Sequence, residues 1–300
     1  MSRAFVELLI GAVACLAGMV LGYRGWKRSQ PTGSVRSSQV SYYAAAPLVG
    51  GFVAGLLVLI AALQTIVGTN DRFYSVTSAL RVSLGVLVGV LLIFAGYYRY
   101  RPYSEVEDRG AAASSASSNR VCGLPHWLYR LILEVLAGLS AVAVGVQFSI
   151  LSIGAGKEIA LGGWSLILTL AWILLAMNVV KLLDGLEGAV VVLVLVAAVA
   201  VCYTTLGTGE HFLNALSACL IGASLAALRF NAYPARLSLR GPGTACAGYL
   251  FAVLTVLARQ KTVAALLLIF PVFLILLILA GAMLSVLERT LFSANEDREG

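Results

Sequence analysis

Long apolar runs separated by short polar connections dominate the chain. The runs are continuously hydrophobic, and about 20 apolar residues are enough for a helix to cross the hydrocarbon core of a bilayer. A transmembrane β-barrel would instead give short segments with alternating polarity. The pattern predicts an all-α, polytopic integral membrane bundle of about nine transmembrane helices, at 5–23, 46–66, 82–98, 128–148, 163–182, 188–205, 211–228, 244–258 and 263–287.

The distribution of lysine and arginine predicts the orientation, because basic residues concentrate in cytoplasmic connections. With the N-terminus outside, fifteen of the 21 basic residues fall on the cytoplasmic side, which favours N-terminus out and C-terminus cytoplasmic. The cytoplasmic connections are then 24–45, 99–127, 183–187, 229–243 and the segment from 288.

One transmembrane domain is predicted over 1–291, followed by a cytoplasmic tail at 292–300. Inside the cytoplasmic loop 99–127, the stretch GAAASSASSN at 110–119 is small and polar, which is typical of a flexible linker. No internal repeat is evident, which argues against an inverted-repeat transporter.

Composition narrows the function classes. The chain is 60% hydrophobic and 12% charged, and its mean hydropathy of +0.93 is typical of a membrane protein. The five cysteines are scattered without metal-ligand spacing. The net charge of +7 comes without a basic stripe interleaved with aromatics, so no nucleic-acid partner is expected.

A group of polar residues lies between two apolar runs, in the stretch NVVKLLDGLEG at 178–188. Asn178, Lys181, Asp184 and Glu187 recur every three residues, so on a helix they form one polar ridge at its cytoplasmic end. Ionisable groups at membrane depth are candidates for function, although a compensated ion pair at a helix end is the alternative.

The same stretch carries a resemblance to a known family. WILLAMNVVKLLDGLEGAVV (172–191) resembles the NAxNLxDGLDGLA signature of the polyprenyl-phosphate N-acetylaminosugar-1-phosphate transferases, which form glycosyltransferase family 4. APLVGGFVAG (46–55) resembles the family's PxxGG element, and FNAYPARLSLRGPGTACAGYLFA (230–252) resembles its FNxxPAxxFMGDxGSxxxGxxxA segment. The matching pieces follow in order over nearly the whole chain.

The resemblance implies transfer of a sugar-1-phosphate from a UDP-sugar to a polyprenyl phosphate in the bacterial inner membrane. It also implies Mg²⁺ bound by carboxylates. The family's Asp-Asp pair is replaced by Arg99 and Tyr100. Glu107 and Asp108 follow in the loop and are expected to be solvated linker charges, with substitution for the pair as the alternative. Gly241 takes the place of the metal-binding aspartate of the GDxG segment.

The remaining family elements are also altered. The chain has FSANEDREG where the family has an HxH element and a tenth span, while His126 and His211 are expected to be structural or surface residues. Glu187 replaces the second aspartate of the DGLDG loop. Lys181 replaces an asparagine, and the sequence leaves open whether it pairs with Asp184 or contacts a phosphate.

Three interpretations follow. The first is a degenerate transferase with lost or much reduced catalysis and a binding or regulatory role in cell-envelope polysaccharide synthesis. The second is an active transferase with a divergent metal site, and the third is a lipid or solute transporter. No catalytic residue and no metal ligand is assigned, although Mg²⁺ is expected for the family.

The expected partners are polyprenyl phosphate and a nucleotide-sugar, together with a second copy of the chain or another membrane protein. The predicted substrate-binding residues are Asn178, Lys181, Asp184, Glu187 and Arg240. Arg240 belongs to a basic cytoplasmic face that would attract lipid headgroups or a phosphate.

Overall fold

The fold is known from a computed structural model that describes residues 3–29, 37–66, 75–99, 120–121, 124–148, 150–153, 157–160, 162–183, 188–206, 208–232, 237, 239 and 241–258. Within these residues there are eight α-helices and two short antiparallel hairpins. The helices are α1 (Arg3–Ser29), α2 (Ser37–Ile66), α3 (Val76–Arg99), α4 (His126–Ala143), α5 (Trp164–Leu182), α6 (Ala189–Thr205), α7 (His211–Asn231) and α8 (Pro242–Leu257). The strands are β1 (Arg120–Val121), β2 (Leu124–Pro125), β3 (Ile150–Ile153) and β4 (Lys157–Ala160).

The helices confirm the predicted helical membrane bundle. In the described part of the chain, five segments are long and apolar enough to cross a membrane: Phe5–Lys27, Ala45–Leu63, Val76–Tyr97, Trp164–Leu182 and His211–Asn231. Helices α6 and α8 are apolar but shorter. Each of the first eight predicted spans has a helix, while the predicted ninth span, 263–287, lies outside the described residues. The number of membrane crossings and the orientation stay predictions.

Several helix boundaries differ from the prediction. Helices α1 and α2 extend to Ser29 and back to Ser37, so most of the predicted loop 24–45 is helical. The hydropathy pattern marks only the apolar part of such a helix, and a helix also accommodates the polar residues beyond it.

Helix α4 ends at Ala143, five residues before the predicted end of its span. Gly145 has a φ of 96°, its N–H binds the carbonyl of Val142 at 3.0 Å, and the N–H of Val146 binds that of Ala141 at 3.1 Å. These two bonds form a Schellman cap, which satisfies carbonyls that the helix end leaves open.

A hairpin follows α4, in the connection between the predicted spans 128–148 and 163–182. Strands β3 and β4 pair antiparallel, from Ile150 opposite Ala160 to Ile153 opposite Lys157. Pairing satisfies the backbone groups of the connection locally. The hairpin therefore gives the connection between α4 and α5 its own regular structure.

The described helices run alternately in opposite directions. Asn214 and Glu7 meet near the starts of α7 and α1, while Phe230 lies against Gly22 near the ends of the same helices, so α1 and α7 are parallel. Similarly, a Cβ atom on Gly243 would lie 3.2 Å from that of Ala45, so the starts of α2 and α8 lie together.

One end of the bundle therefore collects the C-terminal ends of α1, α3, α5 and α7 and the N-terminal ends of α2, α4, α6 and α8. We call it the Lys181 end, since Lys181 lies in the last turn of α5. The described flanks of the predicted cytoplasmic connections 24–45, 183–187 and 229–243 meet there.

Helix α8 is the centre of the packing. Every residue from Pro242 to Leu257 is buried, and the helix packs against α2, α3, α5 and α6. Small residues allow this closeness, because a Cβ atom on Gly248 would lie 2.8 Å from the Cα atom of Met177 in α5. Gly222 of α7 makes a similar approach, with its α-carbon against the backbone of Gly11 in α1.

We predict that Gly222→Ala destabilises the bundle by about 1–3 kcal/mol, the usual range for overpacking. The added methyl group would meet the carbonyl oxygen of Gly11 and would lie 2.9 Å from its carbonyl carbon. These are backbone atoms, so the two helices must separate. Thermal unfolding in detergent measures the effect, and Gly163→Ala is the control because nothing lies within 4 Å of its Cβ position. Equal unfolding temperatures for the two variants would contradict the packing described here.

Candidate functional site

Two of the five predicted substrate-binding residues, Asn178 and Lys181, lie in the last two turns of α5. The helix ends at Leu182, so its described part does not carry the predicted ridge as far as Glu187. Asp184, Glu187 and Arg240 lie outside the described residues, and their predicted role stays a prediction. The same holds for Tyr100, Glu107 and Asp108.

Glu134 of α4 is the partner of the two described residues. Its side chain is 2% exposed, and Lys181 Nζ forms a salt bridge with its Oε1. Asn178 Nδ2 donates to Glu134 Oε2 at 3.5 Å and to the carbonyl of Leu174 at 2.8 Å. Lys181 therefore pairs with a residue of another helix. The sequence had left open only Asp184 or a phosphate as its partner.

A third helix contributes to the same carboxylate. The Tyr97 hydroxyl of α3 donates to Glu134 Oε1 at 3.4 Å. Arg130, one turn before Glu134, lies over the Tyr97 ring with its guanidinium carbon 5.3 Å from the ring centre, which is cation–π geometry. We call Tyr97, Arg130, Glu134, Asn178 and Lys181 the Glu134 cluster; it joins α3, α4 and α5 near the Lys181 end.

Burial explains why the Glu134 carboxylate needs these donors. An ionised group removed from water is strongly destabilising unless a cation and hydrogen bonds compensate it. Lys181 supplies the cation, while Tyr97 and Asn178 supply neutral donors. The Lys181 side chain remains 25% exposed, so it is less buried than the carboxylate it binds.

A hydrogen bond joins the start of α6 to the last residue of α7. The backbone N–H of Gly188 donates to Asn231 Oδ1 at 2.9 Å, and both residues are buried. Gly188 has a φ of 80°, which favours glycine at this turn. Asn231 thus binds the residue that directly follows Glu187 in the chain.

The N-terminus of α8 lies where the resemblance places the metal-binding aspartate. Gly241 precedes the helix with a φ of 65°, Pro242 begins it, and the Thr244 hydroxyl donates to the Gly241 carbonyl at 2.9 Å. Gly241 offers no side-chain ligand there. The helix start itself follows the usual preference for proline in the first turn.

The carboxylates that the sequence offers for a magnesium ion, Asp184 and Glu187, lie outside the described residues. The described residues contain no group of three or more His, Cys, Asp or Glu side chains able to hold a metal. Mg²⁺ prefers carboxylate oxygens, yet the Glu134 carboxylate near the Lys181 end is already bound by an ammonium group.

A second polar group lies at the opposite end of the bundle. Asn214 Nδ2 donates to Glu7 Oε2 at 2.7 Å, the Cys202 thiol donates to Asn214 Oδ1 at 3.0 Å, and His211 Nδ1 lies 3.7 Å from Glu7 Oε1. These contacts join α1, α6 and α7, so His211 has the structural role that the sequence predicted. His126 begins α4, and its side chain lies outside the described part.

Glu134 and Asn231 are the site residues that the sequence analysis missed. Glu134 had a visible signal, since it is an acidic residue inside the apolar run 128–148 and Arg130 precedes it by one helical turn. Asn231 lies in the stretch 230–252, which resembles a family segment, but its contact with Gly188 depends on how α6 and α7 pack.

We predict that Lys181→Gln lowers stability by about 3 kcal/mol, because it leaves the buried Glu134 carboxylate without a cation. The double variant Glu134→Gln/Lys181→Gln should recover most of this loss, since it removes both charges. Thermal unfolding in detergent gives the comparison. A double variant less stable than Lys181→Gln would show that the unpaired charge of Glu134 is not the cause of the lost stability.

Comparison with known proteins identifies relatives over part of the chain. Residues 123–259 match the family model described as glycosyl transferase family 4. This segment contains α4 to α8, and with them Glu134, Lys181 and Gly241. The match confirms the resemblance inferred from the DGLEG stretch.

Individual relatives agree with the family match. The chain is 25% identical over 211 residues to the "Probable undecaprenyl-phosphate N-acetylglucosaminyl 1-phosphate transferase" of Bacillus subtilis (strain 168), covering 68% of this chain and 56% of that protein. It is 32% identical over 142 residues to the phospho-N-acetylmuramoyl-pentapeptide-transferase of Streptococcus thermophilus (strain CNRZ 1066), covering 46% and 41%. A protein of the same name from Halalkalibacterium halodurans is 29% identical over 137 residues, covering 43% and 42%. The chain spans about half the length of the curated relatives it matches.

Proposed function

We propose that the protein binds the ligands of a polyprenyl-phosphate sugar-1-phosphate transferase, and that its own catalysis is lost or much reduced. The proposal starts from residues 123–259, which match the glycosyl transferase family 4 model. Its role would be binding or regulation in cell-envelope polysaccharide synthesis. The ligands would be a polyprenyl phosphate and a nucleotide-sugar, bound at the Lys181 end by Asn178, Lys181, Asp184, Glu187 and Arg240.

The observation that carries this proposal is that position 241, directly before α8, is a glycine and not an aspartate. Phosphoryl transfer depends on positioning and charge neutralisation, and carboxylates that hold Mg²⁺ supply much of both. Gly241 takes the place of one such carboxylate, and its backbone geometry supports the start of α8. An oxygen ligand is thereby replaced by a backbone turn, which weakens metal binding at the point where the diphosphate would lie.

The Glu134 cluster gives independent support. Lys181 takes the place of a neutral asparagine in the family signature, and its charge is compensated by Glu134 instead of by a ligand. Two positions of the family pattern have therefore changed in ways that alter the charge at the Lys181 end.

The broader setting is also proposed. The protein would lie in a bacterial inner membrane as a single domain over 1–291, with nine spans and a cytoplasmic Lys181 end. The exposed Arg24, Lys27 and Arg229 near that end fit such an orientation, since basic residues favour the cytoplasmic side and anionic headgroups. A homodimer or a partner membrane protein is proposed from the family resemblance.

We expect the purified protein to release no UMP above background from UDP-GlcNAc or UDP-MurNAc-pentapeptide, with undecaprenyl phosphate and Mg²⁺ present. The physical reason is the missing carboxylate at Gly241. The relative from Streptococcus thermophilus, purified and assayed with UDP-MurNAc-pentapeptide in the same detergent, is the positive control. Steady turnover by this protein would refute the loss of catalysis.

Retention of Asp184 favours a second candidate, an active transferase with a divergent metal site. Asp184 and Glu187 match the carboxylates of the DGLDG loop, and Asn231 fixes the residue that follows them. If activity is found, Asp184→Asn should reduce kcat at least tenfold, whereas Glu7→Gln at the other end should not. Unchanged kcat in Asp184→Asn and in Glu187→Gln would exclude this metal site.

A further inference from the structure

We propose that Glu134 acts as an internal anion that occupies Lys181 and so lowers the affinity of the Lys181 end for a phosphate group. Since the phosphate ligand comes from the proposed function, this inference depends on it for the ligand class. The carboxylate neutralises the ammonium group that a phosphate oxygen would otherwise contact.

The geometry supports a contact between Lys181 and a ligand. Lys181 lies in the last turn of α5, and its side chain is 25% exposed, whereas that of Glu134 is 2% exposed. The Lys181 side chain is therefore partly open to a ligand, while the carboxylate that binds it is buried in the bundle. Among the described residues, Glu134 is the ion-pair partner of Lys181.

Glu134 is held in place independently of Lys181. Tyr97 donates to its Oε1 and Asn178 to its Oε2, from two different neighbouring helices. The carboxylate is thus oriented by two hydrogen bonds in addition to its ion pair with the lysine. It competes with a ligand from a fixed position.

The effect of Glu134 on a ligand is electrostatic. A carboxylate next to an ammonium group cancels most of its field, and the same carboxylate repels an incoming phosphate. Both contributions are strong in a partly buried site, where water and salt screen little. Removal of this one negative charge should therefore strengthen phosphate binding at Lys181.

The test compares dissociation constants of the full chain in nanodiscs. Glu134→Gln keeps the length and the acceptor oxygen of the side chain but removes its charge. We expect at least tenfold tighter binding of a phosphate ligand, and we expect Glu134→Gln/Lys181→Gln to lose that gain. Glu7→Gln is the matched control, because it removes a carboxylate at the opposite end and should leave the dissociation constant unchanged.

Two probes distinguish the sources of phosphate: undecaprenyl phosphate incorporated in the nanodisc, and UDP-GlcNAc added in solution. A gain in either arm supports the proposal and identifies the phosphate group concerned. The proposal would be overturned if neither probe bound more tightly, or if the gain persisted in Glu134→Gln/Lys181→Gln.

Folding and activity are measured separately. Thermal unfolding checks that Glu134→Gln is folded, and Glu134→Met provides a second uncharged side chain of similar length if it is not. UMP release by the unmodified protein tests the proposed loss of catalysis, whereas the ratio of dissociation constants tests Glu134. Either idea can therefore fail alone.

Discussion

Close approach of helix backbones at small residues is the constraint on which this structure depends. Lipid is as apolar as a leucine side chain, so transmembrane helices associate through packing and polar contacts rather than by exclusion of water. Gly248 brings α8 against Met177, one residue before Asn178, and Gly222 brings α7 against Gly11. These contacts make α8 a fully buried centre and fix α5 relative to its neighbours.

The Glu134 cluster follows from this packing. Helix α5 lies close enough to α4 for Lys181 to reach Glu134, and α3 places Tyr97 on the same carboxylate. A buried ion pair is weak evidence for stability, because desolvation offsets much of its attraction. Its consequence here is positional: together with the Tyr97 hydrogen bond, it connects α3, α4 and α5 near the Lys181 end.

The match of residues 123–259 to glycosyl transferase family 4 and the altered charges are compatible on this basis. A helical scaffold depends on apolar and small residues, whereas ligand chemistry depends on a few polar side chains. Gly241 serves the start of α8 as a backbone turn, and Lys181 is compensated within the bundle. A fold of this kind can therefore persist while the charges at the Lys181 end change. That separation motivates the proposal of binding without efficient transfer.

The sequence by itself determined the helical bundle and the approximate place of each described helix. Apolar runs long enough for a bilayer have few other solutions, because backbone groups in lipid must bond within their own helix. It also identified Asn178 and Lys181 as one face of α5, since helical spacing is a local property. Only the tertiary structure decided the partner of Lys181 and the role of Asn231, since Glu134 and Lys181 are 47 positions apart in the sequence and local patterns do not show their contact. The cap at Gly145 and the hairpin β3–β4 were likewise missed, because hydropathy records burial in lipid and not hydrogen bonding in connections.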